Sequence, residues 1–192
     1  FQRGETAANF GCEIGLQYVH AHIRYIEAMA AINQPNEAYQ GLFVINPINI
    51  QQRVKNAYYR QSNMYFSSSD AWFMDRYQAK NQFDRIRQGD ILVKGGWRLY
   101  SSGPGIYTHQ LISHILGIRM DHQQLVMDPV LPKALDGLSV TYHVGDQPIS
   151  VTYHYGQGEP KLNGLPLIYQ KHQTHYKRNY LTIDRHMIES IH

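Results

Sequence analysis

The sequence predicts a mixed α and β fold in which helices come first and antiparallel strands come last. Two patterns predict this order. Apolar residues recur at spacings of three to five between Ile14 and Ala30, which is typical of one face of a helix. Apolar and polar residues alternate in 138–144 and 149–155, which is typical of strands. A packed core is expected, since 43% of the 192 residues are hydrophobic and only 17% are charged.

The N-terminal part is expected to hold two helices. The first should end near Asn33 and Pro35, where turn-forming residues interrupt the apolar pattern. The second should run from Glu37 to about Val44, because the residue before Pro47 is pushed out of the helical region. The few residues between them predict two antiparallel helices joined by a short loop.

Two more helices are expected further along the chain. One should cover 71–87, where the Ser and Asp residues of 67–70 offer caps for its start. The other should cover 106–118, because the serines and proline of 101–105 are typical of a helix start.

The C-terminal part is expected to be antiparallel sheet. The alternating segments 138–144 and 149–155 should form a hairpin around 145–148. The fold class is therefore segregated, with a helical part over 1–122 and a β domain over 123–192. Further strands are expected at 124–127, 166–170 and 180–183.

Charge and composition exclude several classes of protein. The net charge of +3 is too small for a general nucleic-acid binder, and no run of about 18 apolar residues could span a membrane. Segment 51–100 holds nine basic and four acidic residues, so it could attract an anion such as phosphate. The single cysteine, Cys12, excludes a disulfide framework and indicates a reducing compartment, which predicts a cytoplasmic protein. Because the chain starts at Phe1, we expect it to be processed or part of a longer polypeptide.

Eleven histidines raise the question of a metal site, but their spacing argues against one. His20 and His22 point about 200° apart on a helix, so they cannot share a metal there. His109 and His114 are five residues apart, which is a poor helical pair, and a single cysteine excludes thiolate clusters. No metal site is predicted.

The helix start at 101–105 is the most suggestive local element. Free backbone N–H groups, small side chains and the positive end of the helix dipole can hold an oxyanion. An ordinary capped helix start is the simpler interpretation of this segment taken alone.

Several long motifs, in order along the chain, resemble glycoside hydrolase family 94. The family contains the inverting disaccharide phosphorylases, and the branch that this chain resembles is that of the cellobiose and cellobionic acid phosphorylases. The resemblance runs from about Gly11 to Tyr155. The motifs are Arg60–Ala71 (RQSNMYFSSSDA), Asp75–Ala79 (DRYQA), Gly95–Tyr107 (GGWRLYSSGPGIY) and Met127–Leu138 (MDPVLPKALDGL).

The resemblance implies that this chain is the C-terminal portion of a large enzyme. It would contain the last helices of an (α/α)6 barrel and a closing β-sandwich-like domain. The implied reaction is attack of inorganic phosphate on a β-glucosidic disaccharide with inversion, which gives α-glucose 1-phosphate and a free acceptor sugar or sugar acid. Phosphate is a co-substrate, and no cofactor is implied.

The resemblance also implies four phosphate-binding residues. Ser101 matches a hydroxyl residue, and Ser102 falls where relatives use a backbone N–H. His20 is preferred over His22, since His22 lies inside the apolar stripe and is expected to be a satisfied core histidine. Gln61 is matched more loosely, with Arg60 as the alternative from the same turn. The four are His20, Gln61, Ser101 and Ser102.

The family's general acid belongs to a Trp-Asn-Asp-Gly motif that this chain does not contain, so no catalytic residue is expected here. The chain alone should therefore be inactive, and its expected partners are the rest of the same enzyme, disaccharide, phosphate and a second subunit in a homodimer. Neither nucleic acid nor membrane is an expected partner. The competing interpretation is a carbohydrate-binding or structural module that has lost catalysis.

Overall fold

A computed structural model describes residues 19–46, 52, 55–56, 69–95, 102–156, 158–176 and 178–190. These residues divide into two compact units. One unit takes 19–25 and the described residues between 41 and 108, and the other takes 26–40 and the described residues from 109 onward.

Two helices open the described chain, as the apolar pattern predicted. Helix α1 is Val19–Ala31, and Ile23 and Ile26 on its apolar stripe are fully buried. The chain then turns at Asn33, whose φ is +60°, and α2 follows as Pro35–Ile45. Proline suits the first position of α2 because the first turn of a helix does not need its N–H. The start predicted for the first helix lies outside the described residues.

The helix predicted over 71–87 is wrong over 71–75. Ser69–Ala71 is a strand, β1, which pairs antiparallel with β2, Val93–Gly95. Helix α3 begins only at Arg76 and ends at Gln82. A short helix α4, Arg85–Gln88, follows and ends at Gly89 in the left-handed conformation.

The cap of α3 explains where the helix begins. The carboxylate of Asp75 accepts hydrogen bonds from the backbone N–H of Tyr77 at 2.9 Å and of Gln78 at 2.8 Å. Asp75 is itself extended, which is the usual backbone of an N-cap. The cap is therefore Asp75 and not the Ser and Asp residues of 67–70.

The helix predicted over 106–118 is found with two differences. Helix α5 is Ser102–His109, and it continues directly as a π-helix, Gln110–Ile115. The backbone N–H of Leu116 donates to Leu111 O at 2.9 Å, the five-residue spacing that defines a π-helix. The wider turn rotates the buried face, so Gln110 and Ser113 are buried while Leu111 is exposed.

A four-stranded antiparallel sheet forms the centre of the second unit. Its spatial order is β3 (Ile118–Asp121), β4 (Gln124–Met127), β10 (Asn179–Asp184) and β9 (Gln170–Gln173). The strands at 124–127 and 180–183 were predicted. Strand β3 was not predicted, because the helix predicted over 106–118 included Ile118, the first residue of this strand.

The predicted hairpin is confirmed as β5 (Ser139–Val144) and β6 (Gln147–Thr152). Strands β7 (Lys161–Leu162) and β8 (Leu165–Pro166) form a second, smaller hairpin. Helix α6, Arg185–Glu189, follows β10 directly. The core of the unit joins the sheet, the first hairpin and α6 through buried Ile118, Leu125, Val144, Ile183 and Ile188.

The described chain is thus a mixed fold, with antiparallel sheets and a β-rich C-terminal part. The predicted domain boundary after residue 122 falls in the turn between β3 and β4 and stays a prediction about the larger polypeptide. No helix among the described residues is both long and apolar enough to span a bilayer.

Candidate functional site

His20 lies on α1, directly after Val19, the first residue that the structure describes, and it is half-buried.

His22, two residues later on α1, has a different environment. Its Nε2 donates to the backbone O of Gly41 at 2.9 Å, and its ring lies 5.7 Å from that of Tyr25. The hydrogen bond links α1 to α2 and assigns the Nε2 proton to a structural contact. His22 is therefore a satisfied structural histidine, as the apolar stripe predicted.

Of the four predicted phosphate residues, only His20 and Ser102 lie within the described chain. Ser102 is the first residue of α5, and it belongs to the same unit as His20. The hydroxyl of Tyr107 on α5 donates to Leu42 O on α2 at 3.5 Å. Gln61, its alternative Arg60, and Ser101 lie outside the described residues.

The second unit contains a buried carboxylate that two arginines share. Asp128 follows β4 and is only 3% exposed. Its Oδ2 accepts from Arg178 Nη2 at 2.7 Å and from Arg119 Nη2 at 3.1 Å. Two guanidinium groups therefore share one oxygen of this carboxylate.

Each of these arginines also holds a helix carbonyl. Arg178 Nη1 donates to Ala30 O, near the end of α1, at 2.8 Å. Arg119 Nη1 donates to Ser113 O, within the π-helix, at 3.3 Å. Each planar guanidinium therefore bridges the same carboxylate to the backbone of a different helix, a geometry that the fixed fork of its N–H donors favours.

Buried polar atoms in this unit remain without a hydrogen-bond partner within the described residues. They are Asp128 Oδ1, Arg178 Nε and Gln110 Oε1. Burial lowers the pKa of Arg178, and the negative charge of Asp128 acts in the opposite direction. The charged form of the buried Arg178 is therefore stabilised by its contact with Asp128. Removal of one partner from such a buried pair leaves an uncompensated charge and is strongly destabilising.

Asp128, Arg119 and Arg178 together form the Asp128 cluster. Two histidines near it belong to the same unit and lie at the end of α5 and in the π-helix. The rings of His109 and His114 meet edge to face at 5.3 Å, and Ser113 Oγ is 3.2 Å from His109 Nδ1. Burial, followed by the charge of His109, lowers the pKa of His114, although Glu27 acts in the opposite direction. His114 is therefore held in its neutral form at neutral pH.

A close backbone approach locks Asp128 in place. Gly117 ends the π-helix segment with φ +69°, and its O accepts from Asp128 N at 2.8 Å. A Cβ at this position would lie 2.1 Å from the backbone C of Asp128. Only glycine allows this approach.

The Asp128 cluster was missed from the sequence because its members are far apart along the chain. Arg178 follows Asp128 by fifty residues and stands in a polar turn between β9 and β10. The signal that was present is Asp128 itself, an acidic residue directly after an apolar strand. Among the described residues, no three His, Cys, Asp or Glu side chains are grouped as metal ligands would be.

Residues 117–189 match the family described as the glycoside phosphorylase C-terminal domain. This span begins at Gly117 and includes all eight strands of the second unit together with Asp128 and both arginines. The chain carries a glycoside phosphorylase C-terminal domain. The resemblance to phosphorylases in their C-terminal portion is thereby confirmed.

Two curated proteins are similar over most of the chain. A 1,2-beta-oligoglucan phosphorylase of Listeria innocua is 58% identical over 165 residues, which cover 85% of this chain and 15% of that protein. The cyclic beta-(1,2)-glucan synthase NdvB of Rhizobium meliloti is 27% identical over 153 residues, which cover 79% of this chain and 5% of that protein. The chain therefore spans only a small part of the length of both relatives.

Proposed function

We propose that the polypeptide containing this chain cleaves a β-1,2-linked oligoglucan with inorganic phosphate and inversion, and releases α-glucose 1-phosphate. The observation that carries the proposal is the 58% identity to a 1,2-beta-oligoglucan phosphorylase over 85% of the chain. The second relative is also named for a β-(1,2)-glucan. We therefore favour this linkage over the cellobiose-type substrates that the motifs alone suggested.

The chemistry resembles that of an inverting glycosidase in which phosphate replaces the activated water. Phosphate is already an anionic nucleophile, so a carboxylate base beside it would repel it. The phosphate half of the site instead requires neutral and cationic donors, which make short, charge-assisted hydrogen bonds to the phosphate oxygens. The general acid that protonates the leaving oxygen belongs, on this proposal, to the rest of the polypeptide.

Within this chain, we assign the phosphate contacts to His20, Gln61, Ser101 and Ser102. His20 and Ser102 lie on two helices of the same unit. A helix start such as the one expected at 101–105 favours an anion through its backbone N–H groups and the helix dipole. Ser101 would donate its hydroxyl and Ser102 its backbone N–H. The proposed assembly is cytoplasmic and homodimeric, with phosphate as co-substrate and no cofactor.

His20 and His22 offer a matched test of this assignment in the full-length protein. We expect His20→Ala to raise the KM for phosphate by about 10-fold or more, because a charge-assisted hydrogen bond to the anion is lost. His22→Ala should lower stability, since its bond to Gly41 is lost, but it should leave the KM for phosphate near the wild-type value. Initial rates measured against phosphate at saturating oligoglucan distinguish the two. Equal effects of both variants would contradict the assignment of His20.

A further inference from the structure

We propose that the second unit carries a surface site for a β-glucan chain, built around the exposed ring of Tyr155 and the side chains of Lys133, Asp136 and His154. The inference rests on the proposed function for the identity of the sugar. Glucan binds at this site without reacting there, and the site shares no residue with the phosphate contacts assigned above.

Tyr155 differs from the tyrosine two residues before it. The hydroxyl of Tyr153 donates to Leu116 O at 2.8 Å, and its side chain packs against the core of the unit. Tyr155, by contrast, is 65% exposed. A single exposed aromatic residue is ordinary on a protein surface, so exposure alone does not mark a site. The arrangement of the chain around Tyr155 does.

The backbone beneath the Tyr155 ring is fixed. A short 3-10 helix, Lys133–Leu135, precedes β5, and the chain after β6 is tied to the residues that follow this helix. Tyr153 N donates to Leu138 O at 2.9 Å, and Tyr155 N donates to Asp136 Oδ1 at 2.8 Å. Because Asp136 holds the backbone of the residue whose ring is exposed, a ligand does not have to order this segment when it binds.

Three polar side chains surround the ring. Lys133 Nζ lies over the Tyr155 ring, 5.9 Å from its centroid. His154 Nδ1 is 3.8 Å from Asp136 Oδ1, and these two side chains are 78% and 52% exposed. An ammonium, an imidazole and a carboxylate therefore offer both donors and acceptors beside an aromatic ring that solvent reaches.

This combination suits a neutral sugar ring better than an ion. The charges of Lys133 and Asp136 cancel, so the net charge of the site attracts neither an anion nor a cation. Every ring substituent of a β-linked glucose is equatorial, so both faces of the sugar expose C–H groups that pack on an aromatic face. Its hydroxyl groups can donate to a carboxylate and accept from an ammonium or imidazole. Since Lys133 covers one face of the Tyr155 ring, we assign the glucose to the other face.

Binding is tested with the full-length protein in the absence of phosphate, where the proposed reaction cannot proceed. The measurement is affinity electrophoresis in gels with and without long β-1,2-glucan. Tyr155→Ala removes the ring but keeps the backbone N–H that donates to Asp136. We expect this variant to fold and to bind the glucan about 5- to 10-fold more weakly, which is the size of one lost aromatic contact.

Two further variants serve as controls. Tyr155→Phe keeps the ring and should bind the glucan nearly as the wild type does. Tyr176→Ala is the matched control, because Tyr176 is also in the second unit and is 61% exposed. It should leave glucan binding unchanged. Equal binding by the wild type and Tyr155→Ala, or equal losses in Tyr155→Ala and Tyr176→Ala, would overturn the inference.

Amide hydrogen exchange separates this site from the reaction centre. Addition of the glucan should slow exchange in 133–138 and 153–156 of the wild type and of Tyr155→Phe, but not of Tyr155→Ala. If the glucan leaves exchange in both segments of the wild type unchanged, the surface site does not exist.

The two proposals fail in different ways. If the wild-type protein consumes no phosphate when β-1,2-glucan is supplied, the proposed function is wrong. Binding and exchange, both measured without phosphate, then still decide whether glucan contacts Tyr155. If the wild type is active but Tyr155→Ala binds glucan as tightly, the function stands and the surface site is refuted.

Discussion

Gly117 is a position at which the fold requires glycine, because any side chain would collide with a neighbouring backbone. It combines a φ of +69° with a Cβ position 2.1 Å from the backbone of Asp128. Gly137 has a similar φ of +82° but open space around its Cβ position. A comparison of alanine substitutions at Gly117 and Gly137 therefore separates the free-energy cost of the left-handed backbone from that of the steric collision.

We expect Gly137→Ala to lower the free energy of unfolding by about 1–2 kcal/mol, which is the usual cost of a left-handed residue with a Cβ. Gly117→Ala should lower it clearly further, because the strand end that carries Asp128 must also move. Chemical denaturation of the full-length variants measures both values. Equal losses would mean that the approach of Asp128 to Gly117 is looser than described.

His114 should make the local stability of the π-helix depend on pH. Its pKa is lowered from 6.5 in the folded state, chiefly by burial, so the unfolded chain binds the proton more readily. The free energy of local unfolding should therefore rise with pH up to about 6.5 and decrease as the pH falls below that value.

The measurement is amide exchange of the π-helix between about pH 5 and about pH 7, corrected for intrinsic rates, in wild type and His114→Gln. The wild type should lose protection toward acid more steeply than the variant. His122→Gln is a suitable control, because the His122 side chain is 94% exposed. Parallel pH profiles for wild type and His114→Gln would contradict a titration at His114.

At the scale of single elements, the caps of α3 and α4 form a natural comparison. Asp75 accepts two backbone hydrogen bonds at the start of α3, whereas Asp84 at the start of α4 makes no capping bond. Asp75→Ala should cost about 1 kcal/mol, which corresponds to roughly five-fold faster amide exchange in α3. Asp84→Ala should leave exchange in α4 nearly unchanged. Similar effects of the two substitutions would argue against Asp75 as the cap.

The elements predicted correctly from the sequence have strong periodicity and clear ends. Helices α1 and α2 have an apolar stripe and a proline or asparagine at their ends, and the hairpin of β5 and β6 has alternating residues around a Gly-Asp turn. Strand β1 was missed because three residues carry too little pattern, and its existence depends on pairing with β2 more than twenty residues later.

The π-helix could not be predicted from periodicity either. Its hydrogen bonds span five residues and not four, which shifts the buried face from the apolar residues to Gln110 and Ser113. The sequence pattern of an ordinary helix places those two residues at the surface. The Asp128 cluster was missed for a related reason. Its three members come from β3, the end of β4 and the turn before β10, and only the folded sheet brings them together.

At the scale of the whole molecule, the order of helices followed by strands and the phosphorylase resemblance were both predicted from the sequence. The likeness of residues 117–189 to the glycoside phosphorylase C-terminal domain confirms the family, and the identity to a 1,2-beta-oligoglucan phosphorylase moves the proposed substrate to a different linkage. Motif resemblance could not decide the linkage, because the residues that contact the sugar acceptor are not assigned within this chain.

The proposed function requires that phosphate, and not water, cleaves the glucan. The most direct measurement is proton and phosphorus NMR of the full-length protein incubated with β-1,2-oligoglucan, with and without inorganic phosphate. We expect α-glucose 1-phosphate to form only when phosphate is present, together with a glucan shorter by one residue. Release of free glucose at the same rate without phosphate, or formation of the β-anomer of glucose 1-phosphate, would contradict the account.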